Sequence, residues 1–289
     1  MNTPQETALP QTGKNWINCE WVHSAAVAKA VNPSTGEVLG QYAAGGRIEA
    51  AAAISAARRA FDAGAWSHDP QLRSRVLLEL ADRLAERAEA IALMLSREMG
   101  KTLGDATLEA AWSPSTLRYN AGTALSQTGT SSEIAPGVFA TAMREPIGVA
   151  GIIVPWNSPL ALLLRALGPA LAAGCTAVVK LPGQTALTNS LIAEAVAATK
   201  SLPKGVVNIF TESGNEGAPL LVESPNVDVI NYTGSTKVGR QVAEKGAKSL
   251  KRICLELGGK TPLIVFEDAD IEAFAPLVVT ALKIGRAHV

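Results

Sequence analysis

Apolar and polar positions change period twice along this chain. Residues 15–44 hold short extended pieces, Trp16-Ile17-Asn18-Cys19-Glu20-Trp21 and then Val31 to Val38, where Asn32-Pro33 and Thr35-Gly36 supply turn chemistry. From Arg47 the period becomes helical. Ala50 to Ala60 is alanine-rich and predicts a helix. Leu72, Val76, Leu80, Leu84, Ala88, Ile91 and Leu95 follow at steps of three and four with Arg and Glu between them, which predicts one long amphipathic helix. A third helix is expected over Asp105 to Leu125. Residues 126–146 are richer in Thr, Ser, Gly and Pro, alternate weakly, and predict a β-ribbon. Apolar runs then recur at Val149–Val154, Ala177–Lys180, Val206–Ile209, Val227–Asn231 and Lys251–Leu255. Helical stretches of about 12 to 17 residues lie between them, the spacing of βαβ units and a parallel sheet. The expected class is α/β: a doubly wound parallel sheet behind an amino-terminal helical layer.

Composition narrows the class. Of 289 residues, 47% are hydrophobic, enough for a buried core and too many for a disordered chain. The 26 basic and 26 acidic residues cancel, so no basic excess favours a nucleic-acid partner. Three cysteines, far apart, suit neither a disulfide framework nor a metal centre, so no metal is expected and the expected compartment is the reducing cytoplasm. Residues 1–14 read as a polar leader without the apolar core of a secretory signal. The most apolar stretch, Gly148 to Gly174, is interrupted by Pro155, Trp156, Asn157, Pro159, Arg165 and Pro169. A membrane span needs about 20 largely uninterrupted apolar residues, so none is expected.

A doubly wound sheet binds ligands beyond the carboxyl ends of its strands, and those ends carry the candidate chemistry. After the first run comes Pro155-Trp156-Asn157-Ser158-Pro159. Asn157 or Ser158 can cap the next helix, or the Asn157 amide can face a developing oxyanion. Lys180 ends the second run, before Leu181-Pro182-Gly183. It is either a solvated strand end or a buried ammonium that meets a ribose or phosphate. After Val227–Asn231 stand Tyr232-Thr233-Gly234-Ser235-Thr236-Lys237-Val238-Gly239, a turn and helix start whose free N–H groups can receive a pyrophosphate, although the spacing is not G-x-G-x-x-G. Glu256, after the last run, is either a partner for a nearby cation or a general base in an apolar pocket.

Taken in order, these segments resemble the NAD(P)-dependent aldehyde dehydrogenases. The resemblance rests on Asn32-Pro33-x-Thr35-Gly36-Glu37, Pro155-Trp156-Asn157, Lys180, Thr233-Gly234-Ser235-Thr236 with Gly239, Leu255-Glu256-Leu257-Gly258-Gly259-Lys260 and Glu267-Asp268-Ala269-Asp270, and it runs from about Asn15 to about Leu282. It implies oxidation of an aldehyde to a carboxylic acid through a cysteine thiohemiacetal and thioester. Asn157 would hold the oxyanion and Glu256 would activate the hydrolytic water. Lys180 would hold the adenosine ribose of NAD or NADP, and Ser235 with its helix would hold the pyrophosphate. Ile153, Pro155 and Trp156 would line the cleft, Gly214 and Gly217 would pack beneath the adenine, and Leu257 would lie at its rim. Many NAD-preferring members carry a glutamate where Gly183 stands, so its absence opens the site to NADP beside NAD. An intact protein of this family is expected to be a homodimer or homotetramer.

The same resemblance divides the chain. Residues 1–14 are the leader, 15–125 the amino-terminal strands and helices of the cofactor domain, 126–146 the oligomerisation ribbon, 147–257 the cofactor-binding core, and 258–283 the start of a catalytic domain. The family nucleophile follows its glutamate by roughly 34 residues, near position 290, and none of Cys19, Cys175 or Cys254 fits it. Cys175 and Cys254 are expected to be buried structural thiols. Residues 284–289, Ile284-Gly285-Arg286-Ala287-His288-Val289, have no counterpart in the family and read as the translation of a common sequencing adaptor. The chain is therefore expected to be an amino-terminal piece without the nucleophile. The alternative function is a non-catalytic NAD(P)-binding module.

Overall fold

A computed structural model describes residues 9–259 and 262–283. The part of the leader in residues 1–8, Lys260 of the glutamate motif and the tail 284–289 lie outside the described residues. The leader expectation fails at its end: β1 (Thr12–Gly13) pairs in parallel with β5. β2 (Asn15–Ile17) and β3 (Glu20–Val22) form a tight hairpin in which Asn18 and Cys19 take φ of 55° and 61°. That conformation costs a side chain energy, which is why glycine suits the Cys19 position. β4 (Ala26–Val31) and β5 (Val38–Ala44) are antiparallel about the Asn32–Glu37 turn, which Asn32 closes by accepting from the Ser34 N–H at 2.9 Å.

The helical layer follows. In α1 (Arg47–Asp62), Glu49 accepts from the Gly46 N–H at 2.8 Å. The long amphipathic helix expected over 72–95 is two helices, α2 (Pro70–Ala85) and α3 (Ala88–Met99). Asp69 caps the first, with Pro70 in its first turn, and Arg87 breaks the dihedrals at φ −105°, ψ 5°. The apolar period survives the bend because both pieces bury the same stripe: Val76, Leu77, Leu80 and Leu84, then Ile91 and Leu95. Gly100, left-handed at φ 74°, ends α3, and α4 (Leu103–Leu125) starts at a Thr102 cap, two residues before the expected Asp105. β6 (Thr130–Ala135) and β7 (Val138–Ala142) are the predicted ribbon, an antiparallel hairpin exposed at every residue.

The remaining elements alternate. They are β8 (Val149–Ile153), α5 (Pro159–Ala173), β9 (Thr176–Pro182), α6 (Ala186–Ala198), β10 (Val207–Glu212), α7 (Gly217–Glu223), β11 (Val229–Gly234), α8 (Thr236–Ala247) and β12 (Arg252–Leu257), followed by α9 (Ile271–Lys283). All five runs are strands, but four of the five extend two or three residues further toward the carboxyl end than their apolar stretch. Pro182, Thr233, Gly234 and Leu257 therefore sit in strands rather than turns. α7, at seven residues, is shorter than the expected helices. The seven-stranded sheet has the order β12-β11-β8-β9-β10-β2-β3, parallel from β12 to β10. The order reverses beside β8, which makes the β8/β11 boundary the topological switch point.

Side-chain alternation divides the core in two. Val149, Val178, Phe210, Ile230 and Tyr232 pack with residues of α1, α7 and α8. Ile152, Ala177, Val179, Leu181 and Ile209 pack with α2 to α6. Among the described residues no helix is long and apolar enough to cross a membrane.

Candidate cofactor site

A cleft of about 300 Å³ opens at the switch point, on the α7/α8 face of the sheet. Ile153 from β8, Lys180 from β9 and Tyr232 from β11 form its floor, and Ala218, Pro219, Val222, Val238 and Val242 form its walls. Of the residues expected to line it, Ile153 and Lys180 do so. Sequence reading missed Tyr232, Val238 and Val242, although their fixed spacing from Gly234 was available.

Lys180 is half-buried, and among the described residues its ammonium has no hydrogen-bond partner. Burial pushes it below the usual lysine range, while the Glu212 carboxylate works the other way. Glu212, at the end of β10, is 2% exposed. It accepts from the Glu216 N–H at 2.7 Å, the Gly217 N–H at 2.6 Å and the Ala218 N–H at 3.2 Å, which fixes it at the start of α7. A charged residue ending an apolar run was the signal that found Lys180, and the same signal marks Glu212.

Carboxylates also hold the starts of α5 and α6. Glu109 of α4 accepts from the Leu160 and Ala161 N–H groups, both at 3.1 Å, and pairs with buried Lys101, which donates to Ser158 Oγ at 3.1 Å. Glu98 of α3 accepts from the Leu187 and Thr188 N–H groups at 2.7 Å. At α8 the only side-chain cap among the described residues is the hydroxyl of Ser235, which accepts from Val238 N–H at 3.4 Å. Of the four crossover helices, α8 alone begins without a carboxylate among the described residues. Its amide groups remain suited to an anion.

The glycines have distinct reasons. A Cβ on Gly239 would meet Leu257 Cδ2 at 2.5 Å, so that glycine seats Leu257 against α8. On Gly217 it would meet Phe210 at 2.8 Å, and on Gly234 it would overlap the Tyr232 phenol. Gly214 has open space beside it. Around Gly183 the space is taken: a Cβ would lie 2.6 Å from Tyr42 Oη and 2.8 Å from Ser213 Cβ.

Asn157 and Glu256 belong to the other face of the sheet. Pro155, Trp156 and Asn157 are half-buried between β8 and α5, where Ser158 occupies the N-cap position. Because Glu109 satisfies the first amides of α5, Asn157 is not needed as a cap, and among the described residues its amide makes no hydrogen bond. Glu256 is exposed and pairs with Arg165 of α5 at 3.3 Å, both side chains being 55% exposed. Cys175 is buried between α5 and β9, and burial pushes its thiol up. The expectation of a buried Cys254 is wrong. It is exposed, on the face of the edge strand β12 that it shares with exposed Arg252 and Glu256.

A model described as the aldehyde dehydrogenase family matches residues 21–285. The chain is 39% identical over 280 residues to aldehyde dehydrogenase 1 of Tanacetum cinerariifolium, covering 95% of this chain and 56% of the relative. It is 39% identical to the mouse protein named aldehyde dehydrogenase, cytosolic 1, covering 94% and 57% of the two. Among solved structures, betaine aldehyde dehydrogenase from Staphylococcus aureus, a point mutant in complex with NAD+, superposes with a TM-score of 0.89 at 33% identity, over 94% of this chain and 55% of that one. The chain thus spans about half the length of the relatives it matches. The parallel sheet, its helices and the sequence match lead to one conclusion: the chain belongs to the aldehyde dehydrogenase family.

Proposed function

We propose that this chain is the cofactor-binding half of an enzyme that oxidises an aldehyde to a carboxylic acid with NAD or NADP. The observation that carries the reading is the switch-point cleft, with the Lys180 ammonium, unpartnered among the described residues, on its floor and the amide groups of α8 at its edge. These suit the two polar parts of a dinucleotide. Lys180 donates to the adenosine ribose, and Ser235 with the first amides of α8 holds the pyrophosphate. Ile153, Tyr232, Val238 and Val242 give the adenine apolar walls, with Gly214 and Gly217 beneath it. Pro155, Trp156, Thr233, Gly234, Gly239 and Leu257 shape the rim, and Gly183 closes the ribose corner. When bound, the nicotinamide supplies the hydride acceptor.

The chain's own residues supply two further parts. The Asn157 amide donates to the aldehyde oxygen as negative charge grows there. Glu256 takes the proton of the water that releases the acid. Its present partner, Arg165, must yield for it to do so. The nucleophile is a cysteine near position 290 of a longer gene product, and a full-length gene without one would contradict the reading. A second reading, a non-catalytic NAD(P)-binding module, is favoured by the placement of the three cysteines: a turn, a buried connection and the outer strand. The exposed β6–β7 ribbon suits self-assembly into a homodimer or homotetramer, and the mouse relative named cytosolic favours a cytoplasmic enzyme.

Calorimetry with NAD and NADP tests the cofactor reading on the chain itself. Lys180→Ala should weaken binding about tenfold or more, the worth of a charge-assisted hydrogen bond. Unchanged affinity would refute the ribose role.

A further inference from the structure

We propose that Glu212 selects NAD over NADP by holding a fixed negative charge against the corner where a 2′-phosphate would sit. The proposal rests on the reading of the cleft as a dinucleotide site with Lys180 toward the adenosine ribose. In that reading the ribose corner lies between the ends of β9 and β10, which are paired with Phe210 opposite Lys180 and Glu212 opposite Pro182. Lys180, Phe210 and Glu212 share one side-chain parity and face α1, α7 and α8.

Glu212 cannot swing out of the way. Its two carboxylate oxygens take three backbone N–H bonds from 216, 217 and 218, and the side chain is 2% exposed. Held by these three donors, its oxygens keep a fixed place at the start of α7, next to the strand that carries Lys180. Its neighbour is the Lys180 ammonium, whose one charge it offsets. The corner then presents one positive and one negative charge, which suits an uncharged ribose diol. A 2′-phosphate would bring nearly two further negative charges, and the other lysine that lines the cleft, Lys245, is already paired with Glu223 at 2.6 Å.

Gly183 does not provide the room that its missing side chain suggests. Tyr42 Oη and Ser213 Cβ already fill the space beside its Cα, 2.6 and 2.8 Å from where a Cβ would stand. Ser213 follows Glu212 directly, so the segment that closes the glycine position is the one that carries the charge. The role that a carboxylate at position 183 plays in many relatives falls here to a residue 29 positions later, on the adjacent strand.

The test is titration of the full 289-residue chain with NAD and with NADP, repeated on Glu212→Gln. The parent should bind NAD at least about tenfold more tightly than NADP, and Glu212→Gln should bring the two within about threefold by a gain in NADP affinity. The same titration with 5′-AMP and 2′,5′-ADP, which differ at the 2′ position alone, decides the case on the parent chain if the variant fails to fold. 5′-AMP should bind at least about tenfold more tightly. Equal binding of NAD and NADP by the parent, equal binding of the two adenosine nucleotides, or a folded Glu212→Gln that keeps the full preference would overturn the role of Glu212 and leave the cofactor reading standing. Folded chain that binds neither dinucleotide would overturn both.

Discussion

Glu98 is a buried carboxyl at the start of α6, and its titration should be visible in the stability of the chain. Burial lifts its pKa from the ordinary 4.5 to about 7, against the lowering effect of three donors, the Leu187 and Thr188 N–H groups and the Thr188 hydroxyl. The folded state therefore binds this proton more tightly than the unfolded state. Its stabilising contribution is complete below pH 4.5 and is lost as the pH rises through 7. The gap amounts to roughly 3 kcal/mol, a fraction of the total stability that denaturant curves resolve. Glu98→Gln removes the titration and keeps one acceptor, at the cost of about 1–3 kcal/mol for the donor left unmatched, at any pH. Urea unfolding of parent and variant at pH 4.5 and pH 8 isolates the effect. The advantage of the parent should shrink by roughly 3 kcal/mol between the two conditions. An advantage that is the same at both would show that the three donors offset the burial of the charge, and the raised pKa would be wrong.

Two other substitutions probe the frame. Gly148 has φ +132°, and a Cβ there would fall onto the Asp228 carboxylate that accepts from Val149 N–H, so Gly148→Ala should cost about 2–3 kcal/mol in thermal or denaturant unfolding. A loss within measurement error would contradict the close approach. Glu109→Ala leaves Lys101 buried without its partner and the α5 amides uncapped, for an expected loss of about 3–5 kcal/mol. Lys101→Met combined with Glu109→Gln should recover part of that loss, because glutamine still accepts from α5, and a double variant less stable than Glu109→Ala would count against this account.

Much of the frame was legible because it is local. The five runs are strands because each is rich in Val, Ile and other apolar residues, although Asn208, Asp228 and Arg252 stand within three of them, and the ribbon is a hairpin because Pro136-Gly137 turns it. The break at Glu86–Arg87 was not legible, since the apolar steps of three and four pass through it unchanged and no glycine or proline marks it. The strand ends were placed too early because Tyr232-Thr233-Gly234 and Phe210-Thr211-Glu212 look polar, yet the sheet continues through them. The site divides in the same way. Lys180 and Ile153 could be found as strand ends. The acceptors that complete the helices could not, since Glu98 meets Leu187 at a separation of 89 residues and Glu79 meets Lys200 at 121. Glu256 forms an exposed pair with Arg165, one of the two roles open to a carboxylate at the end of that run.

Those long-range acceptors have a consequence for how the chain holds together. Glu98 reaches α6 from α3, Glu109 reaches α5 from α4, and Glu79 of α2 accepts from Lys200 and Ser201 beyond the end of α6. Each is a latch between the amino-terminal layer and the sheet, and each leaves polar groups bare if the two are parted. The layer and the sheet therefore cannot melt separately without exposing amide groups on one side and carboxylates on the other. A cut in the exposed ribbon, between β6 and β7, should leave the two pieces associated and melting in a single transition, since the severed connection carries none of the latches.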